Sequence, residues 1–77
     1  LTYRVARIKA EQGEFDAALT DLEAMTDESW KGRVAELRGD ISLRKGDTDA
    51  AYSAYTEAQQ AVDASQTLQI KLDDLAK

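Results

Sequence analysis

The chain has 77 residues, and its content of 43% hydrophobic and 32% charged residues is that of one folded helical domain and argues against a disordered chain. The net charge of −5 disfavours nucleic acid as a partner. The sequence has no histidine, no cysteine and no phosphate-binding loop, so the usual bases, nucleophiles, soft metal ligands and nucleotide sites are missing. We therefore expect a protein that is no enzyme, with no catalytic residues, no cofactor, no metal site and no small-molecule substrate.

Two helices are predicted at the start of the chain. Apolar residues at helical spacing indicate a helix over residues 1–12, and Gly13 ends it as a helix-terminal glycine. A second apolar stripe indicates a helix over about residues 15–25. The first helix is expected to bury three large apolar residues against the second: Leu1, Val5 and Ile8.

The third predicted helix is the longest and covers about residues 28–45. Asp27 precedes it, and its carboxylate suits the positive end of a helix. Large apolar residues occupy one face, on which Trp30 is interpreted as core and not as a ligand platform. Small residues, among them Gly32 and Gly39, occupy the adjacent face. Two neighbouring buried faces predict contacts with helices on both sides.

Two further helices complete the chain. Gly46 ends the third helix, and Asp47 or Thr48 is expected to cap a fourth. This fourth helix is predicted to run to about Asp63, and Ser65 is expected to cap a fifth. The fifth helix is expected to bury its leucines and to leave its charges in water: Leu68, Leu72 and Leu75 inside, Lys71, Asp73 and Asp74 outside.

Small residues and one aromatic recur at spacings that let two helices pack closely. They are Gly39, Gly46, Ala51, Tyr55 and Ala58. Gly39 is expected to touch Ala51 across the third and fourth helices, with Tyr55 filling the groove beside them. A weaker copy stands 33 residues earlier and consists of Ala6, Gly13, Ala18, Leu22 and Met25. The pattern resembles the tetratricopeptide repeat.

This resemblance implies an all-α fold of two tetratricopeptide-like helical hairpins with a C-terminal capping helix. We expect repeat one over about residues 1–25, repeat two over about residues 28–63 and the capping helix over about residues 65–76, in a single domain of residues 1–77. The chain begins at Leu1 in what reads as the middle of a helix. We therefore also expect a piece of a longer protein, with further repeats upstream.

A narrower resemblance covers nearly the whole chain. It rests on residues 4–7 (Arg-Val-Ala-Arg), 37–39 (Leu-Arg-Gly) and 70–75 (Ile-Lys-Leu-Asp-Asp-Leu). These segments are similar to those of the YfgM-type family of ancillary subunits of the SecYEG translocon. The resemblance implies a protein-binding accessory of the secretion machinery, on the periplasmic side of the bacterial inner membrane. It implies translocon components and a periplasmic chaperone as protein partners, and contact with the membrane only through a missing N-terminal segment.

The polar side of the first helix of each repeat is where this architecture presents contacts to partners. Seven residues on that side are candidates for binding a protein: Tyr3, Arg7, Glu11, Arg33, Glu36, Asp40 and Arg44. The alternative is an ordinary solvated face. The mixed charges of these residues argue against a clamp dedicated to peptide carboxylates.

Arg38 allows two interpretations, because it stands beside Gly39 where the general repeat has an apolar residue. Its stem can lie over the helix pair with the guanidinium in water. Alternatively, the guanidinium pairs with a carboxylate of another helix, such as Asp21 or Asp47. The sequence leaves the choice open.

Two other functions stay open for the chain. One is a generic tetratricopeptide scaffold in another compartment. The other is an accessory domain of an enzyme whose catalytic part lies outside these residues. An upstream apolar run of about twenty residues would favour the translocon accessory, whereas an upstream catalytic domain would favour the enzyme.

Overall fold

Within residues 2–64 and 66–75, the part that the computed structural model describes, the chain forms five α-helices, one 3-10 turn and no strand. The helices are α1 (Thr2–Glu11), α2 (Phe15–Glu23), α3 (Lys31–Arg44), α4 (Thr48–Gln59) and α5 (Leu68–Leu75). A 3-10 turn over Glu28–Trp30 leads into α3, which is the longest helix with 14 residues. The predicted all-α fold class is confirmed.

Two helical hairpins with the same turn form the frame of the fold. Gly13 between α1 and α2 has a φ angle of +85°, and Gly46 between α3 and α4 has one of +87°, values that only glycine adopts easily. The residue after each glycine bonds back to the preceding helix. The N–H of Glu14 donates to a carbonyl of α1 at 2.8 Å, and the N–H of Asp47 donates to a carbonyl of α3 at 2.9 Å. The predicted pair of hairpins in a 33-residue register is therefore confirmed.

Helix α3 lies in the middle of the fold and separates two hydrophobic clusters. The cluster shared with α1 and α2 consists of Ala6, Ala10, Ala18, Leu22, Val34, Leu37 and Ile41. The cluster shared with α4 and α5 consists of Ala35, Ala51, Tyr55, Ala58, Leu68 and Leu72. The predicted burial of α3 on two neighbouring faces is confirmed, as is the burial of leucines along one side of α5.

The buried face of α1 differs from the prediction. Val5 and Ile8 are 46% and 48% exposed, whereas Ala6 and Ala10 are buried. Both sets recur at helical spacing, and the alanines face the core because their small side chains let α1 approach its neighbours closely. Leu1, the third residue of the predicted face, lies outside the described residues.

The neighbour of Gly39 also differs from the prediction. A Cβ atom at Gly39 would lie 2.4 Å from Cε1 of Tyr55, so the close neighbour is the tyrosine ring and not Ala51. Tyr55 is 1% exposed and fills the space beside α3, as expected. The absence of a side chain at Gly39 is required because the aromatic ring occupies the place of a Cβ atom.

The helix ends show which caps are used. Asp27 accepts a hydrogen bond from the N–H of Ser29 at 2.9 Å, and Asp47 accepts one from the N–H of Ala50 at 3.1 Å. Asp47 is therefore the cap of α4, in preference to Thr48. Three helices are shorter than predicted. α2 and α4 end earlier, at Glu23 and Gln59, and α5 begins later, at Leu68. The proposed cap Ser65 lies outside the described residues.

Candidate partner-binding surface

The polar sides of α1 and α3 form one surface with two adjacent depressions. The larger, a groove of about 800 Å³ that we call the α1–α3 groove, is lined by Tyr3, Arg4, Arg7, Trp30, Arg33, Glu36, Asp63 and Ala64. The smaller, of about 110 Å³, is lined by Arg7, Ala10, Glu11, Leu37, Asp40, Ile41 and Arg44. Arg7 lines both, so the structure brings all seven predicted residues together. That they bind a partner stays a prediction.

Two aromatic rings line the α1–α3 groove. The ring centroids of Tyr3 and Trp30 lie 5.5 Å apart at a tilt of 43°. The guanidinium carbon of Arg33 lies 4.7 Å from the centroid of the Trp30 ring, within the range of a cation–π contact. Both rings also pack against the first hydrophobic cluster, as expected for Trp30 as core, while they line the groove. Trp30 therefore serves the core and the groove together.

Asp63 lines the groove and caps the first turn of α3. Its carboxylate accepts hydrogen bonds from the N–H groups of Gly32 at 2.6 Å and Arg33 at 3.2 Å. These are orphan donors of the first helical turn, and a negative charge is favourable there. The chain must leave α4 before Asp63 to make this contact, which explains the early end of α4. A Cβ atom at Gly32 would lie 2.4 Å from the Asp63 Oδ1 atom, so any side chain there would have to displace this carboxylate.

Lys71 of α5 joins the same surface, contrary to the prediction that it faces water. Its Nζ atom lies 2.8 Å from Oε2 of Glu36 and 3.0 Å from Oδ1 of Asp40. The same Nζ atom lies 5.5 Å from the centroid of the Tyr55 ring, and the Tyr55 hydroxyl donates to Asp40. α5 packs on α4, which places its polar edge beside α3. Two of the seven candidate residues, Glu36 and Asp40, are therefore engaged inside the chain.

The pKa values of this network follow from its contacts. Burial raises the pKa of Tyr55, and its hydrogen bond to the negative Asp40 raises that pKa further. Burial alone would lower the pKa of Lys71, but the hydrogen bonds to Glu36 and Asp40 outweigh burial and raise it. At neutral pH the network holds a protonated tyrosine and a charged lysine.

The remaining candidate residues contribute differently. Arg44 donates to the carbonyl oxygen of Ala10 at 3.1 Å, which also accepts from the N–H of Gly13, and so links α3 to the end of α1. Arg7 and Glu11 form an i,i+4 pair at 3.8 Å, with 65% and 59% of their side chains exposed. Such a pair contributes about 0.3–0.5 kcal/mol, so Arg7 is held only weakly.

Arg38 lies away from this surface and pairs with Glu57 of α4. The interpretation as an ion pair with another helix was right in kind, but the pair is half-exposed and both suggested partners were wrong. Asp21 instead pairs with Lys9 at 2.8 Å, and Asp47 caps α4. The Arg38 guanidinium therefore has a carboxylate partner on another helix and also stays in contact with water.

Four residues of the surface were missed from the sequence: Arg4, Trp30, Asp63 and Lys71. Gly32 was a usable signal for Asp63, because a glycine inside a helix is unfavourable by about 1 kcal/mol and needs a reason. Among the described residues, no group of three or more histidine, cysteine, aspartate or glutamate residues could hold a metal ion. None of the helices in residues 2–64 and 66–75 has the length and apolar character needed to cross a membrane.

Comparison with known proteins gives the family. The chain is 36% identical over 80 residues to the ancillary SecYEG translocon subunit of Escherichia coli (strain K12), a match that covers 99% of this chain and 38% of that relative. It is 34% identical over 74 residues to the protein of the same description from Aggregatibacter actinomycetemcomitans, covering 94% of this chain and 36% of that relative. The chain thus spans little more than a third of these relatives. No solved structure matches it significantly. Because the tetratricopeptide repeat-like domain matches residues 1–77, the chain belongs to that family.

Proposed function

We propose that the chain is a non-catalytic protein-binding module that acts beside the Sec translocon. This proposal is based on the open α1–α3 groove, a concave surface with three arginines and two aromatic rings. A repeat-like array of helices uses such a surface to bind protein. The similarity to two ancillary SecYEG translocon subunits, over 94% and 99% of this chain, supports the translocon as the setting.

The finer parts of the proposal rest on resemblance. We place the chain on the periplasmic side of the bacterial inner membrane, with a periplasmic chaperone as a second class of partner. The division into repeat one, repeat two and a capping helix within one domain belongs to the same proposal. The resemblance of residues 4–7, 37–39 and 70–75 to the family of translocon subunits supports the location and the chaperone. The copy of the small-residue pattern 33 residues earlier supports the division into repeats.

Contacts inside the chain limit which residues can be changed to test the surface. Asp40 holds Lys71 and Tyr55, and Arg44 holds the end of α1, so reversing their charge would disturb folding. Arg7 is exposed and its one ion pair is weak. It is therefore the best of the seven candidates for a probe.

The test is site-specific photo-crosslinking in living bacteria that produce the natural full-length protein. A photoreactive amino acid replaces Arg7 in one variant and Tyr52 in the control. Tyr52 is 51% exposed on α4 and lies outside both depressions. We expect the Arg7 probe, and not the Tyr52 probe, to form products with a translocon subunit or a periplasmic chaperone. A secretion component attached only at Tyr52 would move the surface, and none at either position would remove the functional proposal.

A further inference from the structure

The α1–α3 groove carries a charge opposite to that of the chain. Arg4, Arg7 and Arg33 line it, in a chain with a net charge of −5. The groove also contains two carboxylates, and such mixed charge argued in the sequence against a clamp dedicated to peptide carboxylates. In the folded chain, however, each of these carboxylates has an internal partner. Glu36 is bonded to Lys71 at 2.8 Å, and Asp63 accepts from two N–H groups of α3.

The arginines are held far less firmly than the carboxylates. Within residues 2–64 and 66–75, Arg4 makes no ion pair or hydrogen bond through its side chain. Arg7 has only an exposed pair with Glu11, at 3.8 Å. Arg33 contacts the Trp30 ring, and its one ion pair, at 3.9 Å, is with Asp63, which is already bonded to the backbone. Guanidinium groups with unused donors bind carboxylates well, because they present several N–H groups in one plane.

The second hairpin shows how this surface receives a charged side chain. The repeat register places Tyr3 and Arg7 of α1 where α3 has Glu36 and Asp40. At the α3 positions, the ammonium group of Lys71 enters from α5 and bonds both carboxylates. The α1 positions carry a positive charge and a hydroxyl instead, and burial raises the pKa of Tyr3, so this hydroxyl stays a donor. A bound group that complements these α1 positions therefore carries a carboxylate.

We propose that the α1–α3 groove binds an acidic segment of a partner protein, with its carboxylates on Arg4, Arg7 and Arg33 and a neighbouring apolar side chain on Tyr3 and Trp30. The inference rests on the proposed function as a protein-binding module and names the chemistry of the partner. A groove of about 800 Å³ lies within the range of binding sites for short segments. An extended segment suits it, because alternate side chains of a strand point to opposite sides.

A protein partner fits these observations better than an anionic surface. The overall charge of −5 repels nucleic acid and acidic lipid, whereas a recessed groove admits a single segment. The two aromatic rings of the groove also offer apolar contact, which an acidic side chain alone would not use.

The test measures fluorescence anisotropy of short labelled peptides with the natural full-length protein. One peptide alternates glutamate with phenylalanine and is blocked at both ends, and its match has glutamine in place of glutamate. We expect the glutamate peptide to bind at least about tenfold more tightly, since charge-assisted hydrogen bonds are about twice as strong as neutral ones. Its affinity should fall as salt is added.

Matched variants locate the binding. Arg4→Gln combined with Arg7→Gln should weaken binding of the glutamate peptide about tenfold. The control combines Lys31→Gln with Arg38→Gln, which gives the same net charge but changes a different depression, beside Leu22 and Glu57. The control should bind as the parent does, and circular dichroism should show both variants folded.

Three results would overturn the inference. The first is equal affinity for the two peptides, and the second is an equal loss of affinity in the control variant. The third is that Arg4 and Arg7 are needed to bind vesicles rich in acidic lipid, while no peptide binds. If the glutamate peptide fails to bind while crosslinks from Arg7 to a secretion component persist, the inference fails and the proposed function stands. If the peptide binds but no secretion component is crosslinked, the proposed function fails.

Discussion

The hairpin of α1 and α2 and the hairpin of α3 and α4 have the same frame but different surfaces. Both turn at a glycine with a φ angle near +86°, and both use the same hydrogen bond after it. On the polar side, however, Arg7 stands where the second hairpin has Asp40. α5 covers the second hairpin through Lys71, whereas the first hairpin keeps an open groove.

The frame and the surface of the hairpins are set by different residues. The frame depends on glycines and small core residues, whose places are fixed by backbone geometry and packing. The polar side can diverge more, because its residues do not form the turns and only a few of them, such as Asp40 and Arg44, bond to other helices. One hairpin therefore holds the chain's own last helix, and the other keeps an open groove.

The largest expected effect comes from the core residues in which the hairpins differ. The second has Gly39 and Tyr55 where the first has Ala6 and Leu22. Gly39→Ala should destabilise the protein by about 1–3 kcal/mol, because the added Cβ atom would lie 2.4 Å from the buried Tyr55 ring. Adding Tyr55→Leu, which makes the second hairpin like the first, should recover part of the loss. Denaturant unfolding measures the stability of the single and the double variant. If Gly39→Ala is as stable as the parent, the close contact of Gly39 with Tyr55 is refuted.

The pH dependence of stability tests the Tyr55 network, which the first hairpin lacks. Because the folded protein raises the pKa of Tyr55 above its ordinary value of 10.0, the unfolded state loses that proton first. Stability should therefore be full below pH 10 and fall above it, by up to about 1.4 kcal/mol per pH unit for this group.

Tyr55→Phe should flatten this fall between about pH 10 and pH 12, because it removes the titrating group. Tyr52→Phe is the matched control, since Tyr52 is 51% exposed and should leave the slope unchanged. Unfolding free energies across the alkaline range give both slopes. Equal slopes for Tyr55→Phe and the parent would show that the hydroxyl does not titrate as inferred.

A smaller effect should come from exchanging the helix caps. Asp47 caps α4 with its side chain, whereas Glu14, at the equivalent position before α2, makes no side-chain cap bond. Glu14→Asp should stabilise the protein by about 0.5–1 kcal/mol, and Asp47→Glu should destabilise it by a similar amount. Thermal melts of the two variants are the measurement. Shifts of the same sign would contradict the equivalence of the two turns.

The smallest effect is expected at Arg38, whose pair with Glu57 is half-exposed. Arg38→Gln should change stability by about 0–1 kcal/mol, because water screens such a pair. Urea unfolding of this variant beside Glu57→Gln and the double variant gives the coupling energy. A coupling above about 2 kcal/mol would mean that Arg38 is held as a buried residue is.

The frame could be predicted from the sequence because it depends on short-range signals. Glycines at residues 13 and 46, and small residues at helical spacing, mark hairpins without knowledge of the rest of the fold. The face of α1 was mispredicted because two stripes have the same period, and periodicity does not say which one packs. The neighbour of Gly39 required the orientation of a ring, which spacing does not give.

The candidate surface was harder to predict, because its contacts join distant parts of the chain. Asp63 bonds the N–H of Gly32, 31 residues away, and Lys71 bonds Glu36, 35 residues away. An amphipathic pattern places Lys71 on the polar side of α5 but does not show that this side meets α3. The seven candidates were found because the repeat itself places them together, whereas Arg4 and Asp63 became visible only in the folded chain.

The central claim is that the first hairpin is open to a partner while α5 closes the second. The most direct test is a nuclear magnetic resonance titration of the natural full-length protein with the glutamate–phenylalanine peptide. Amide shifts should change over Thr2–Glu11 and at the start of Lys31–Arg44, with little change over Leu68–Leu75. Shifts centred on Leu68–Leu75 or on the outer side of Thr48–Gln59 would contradict the claim.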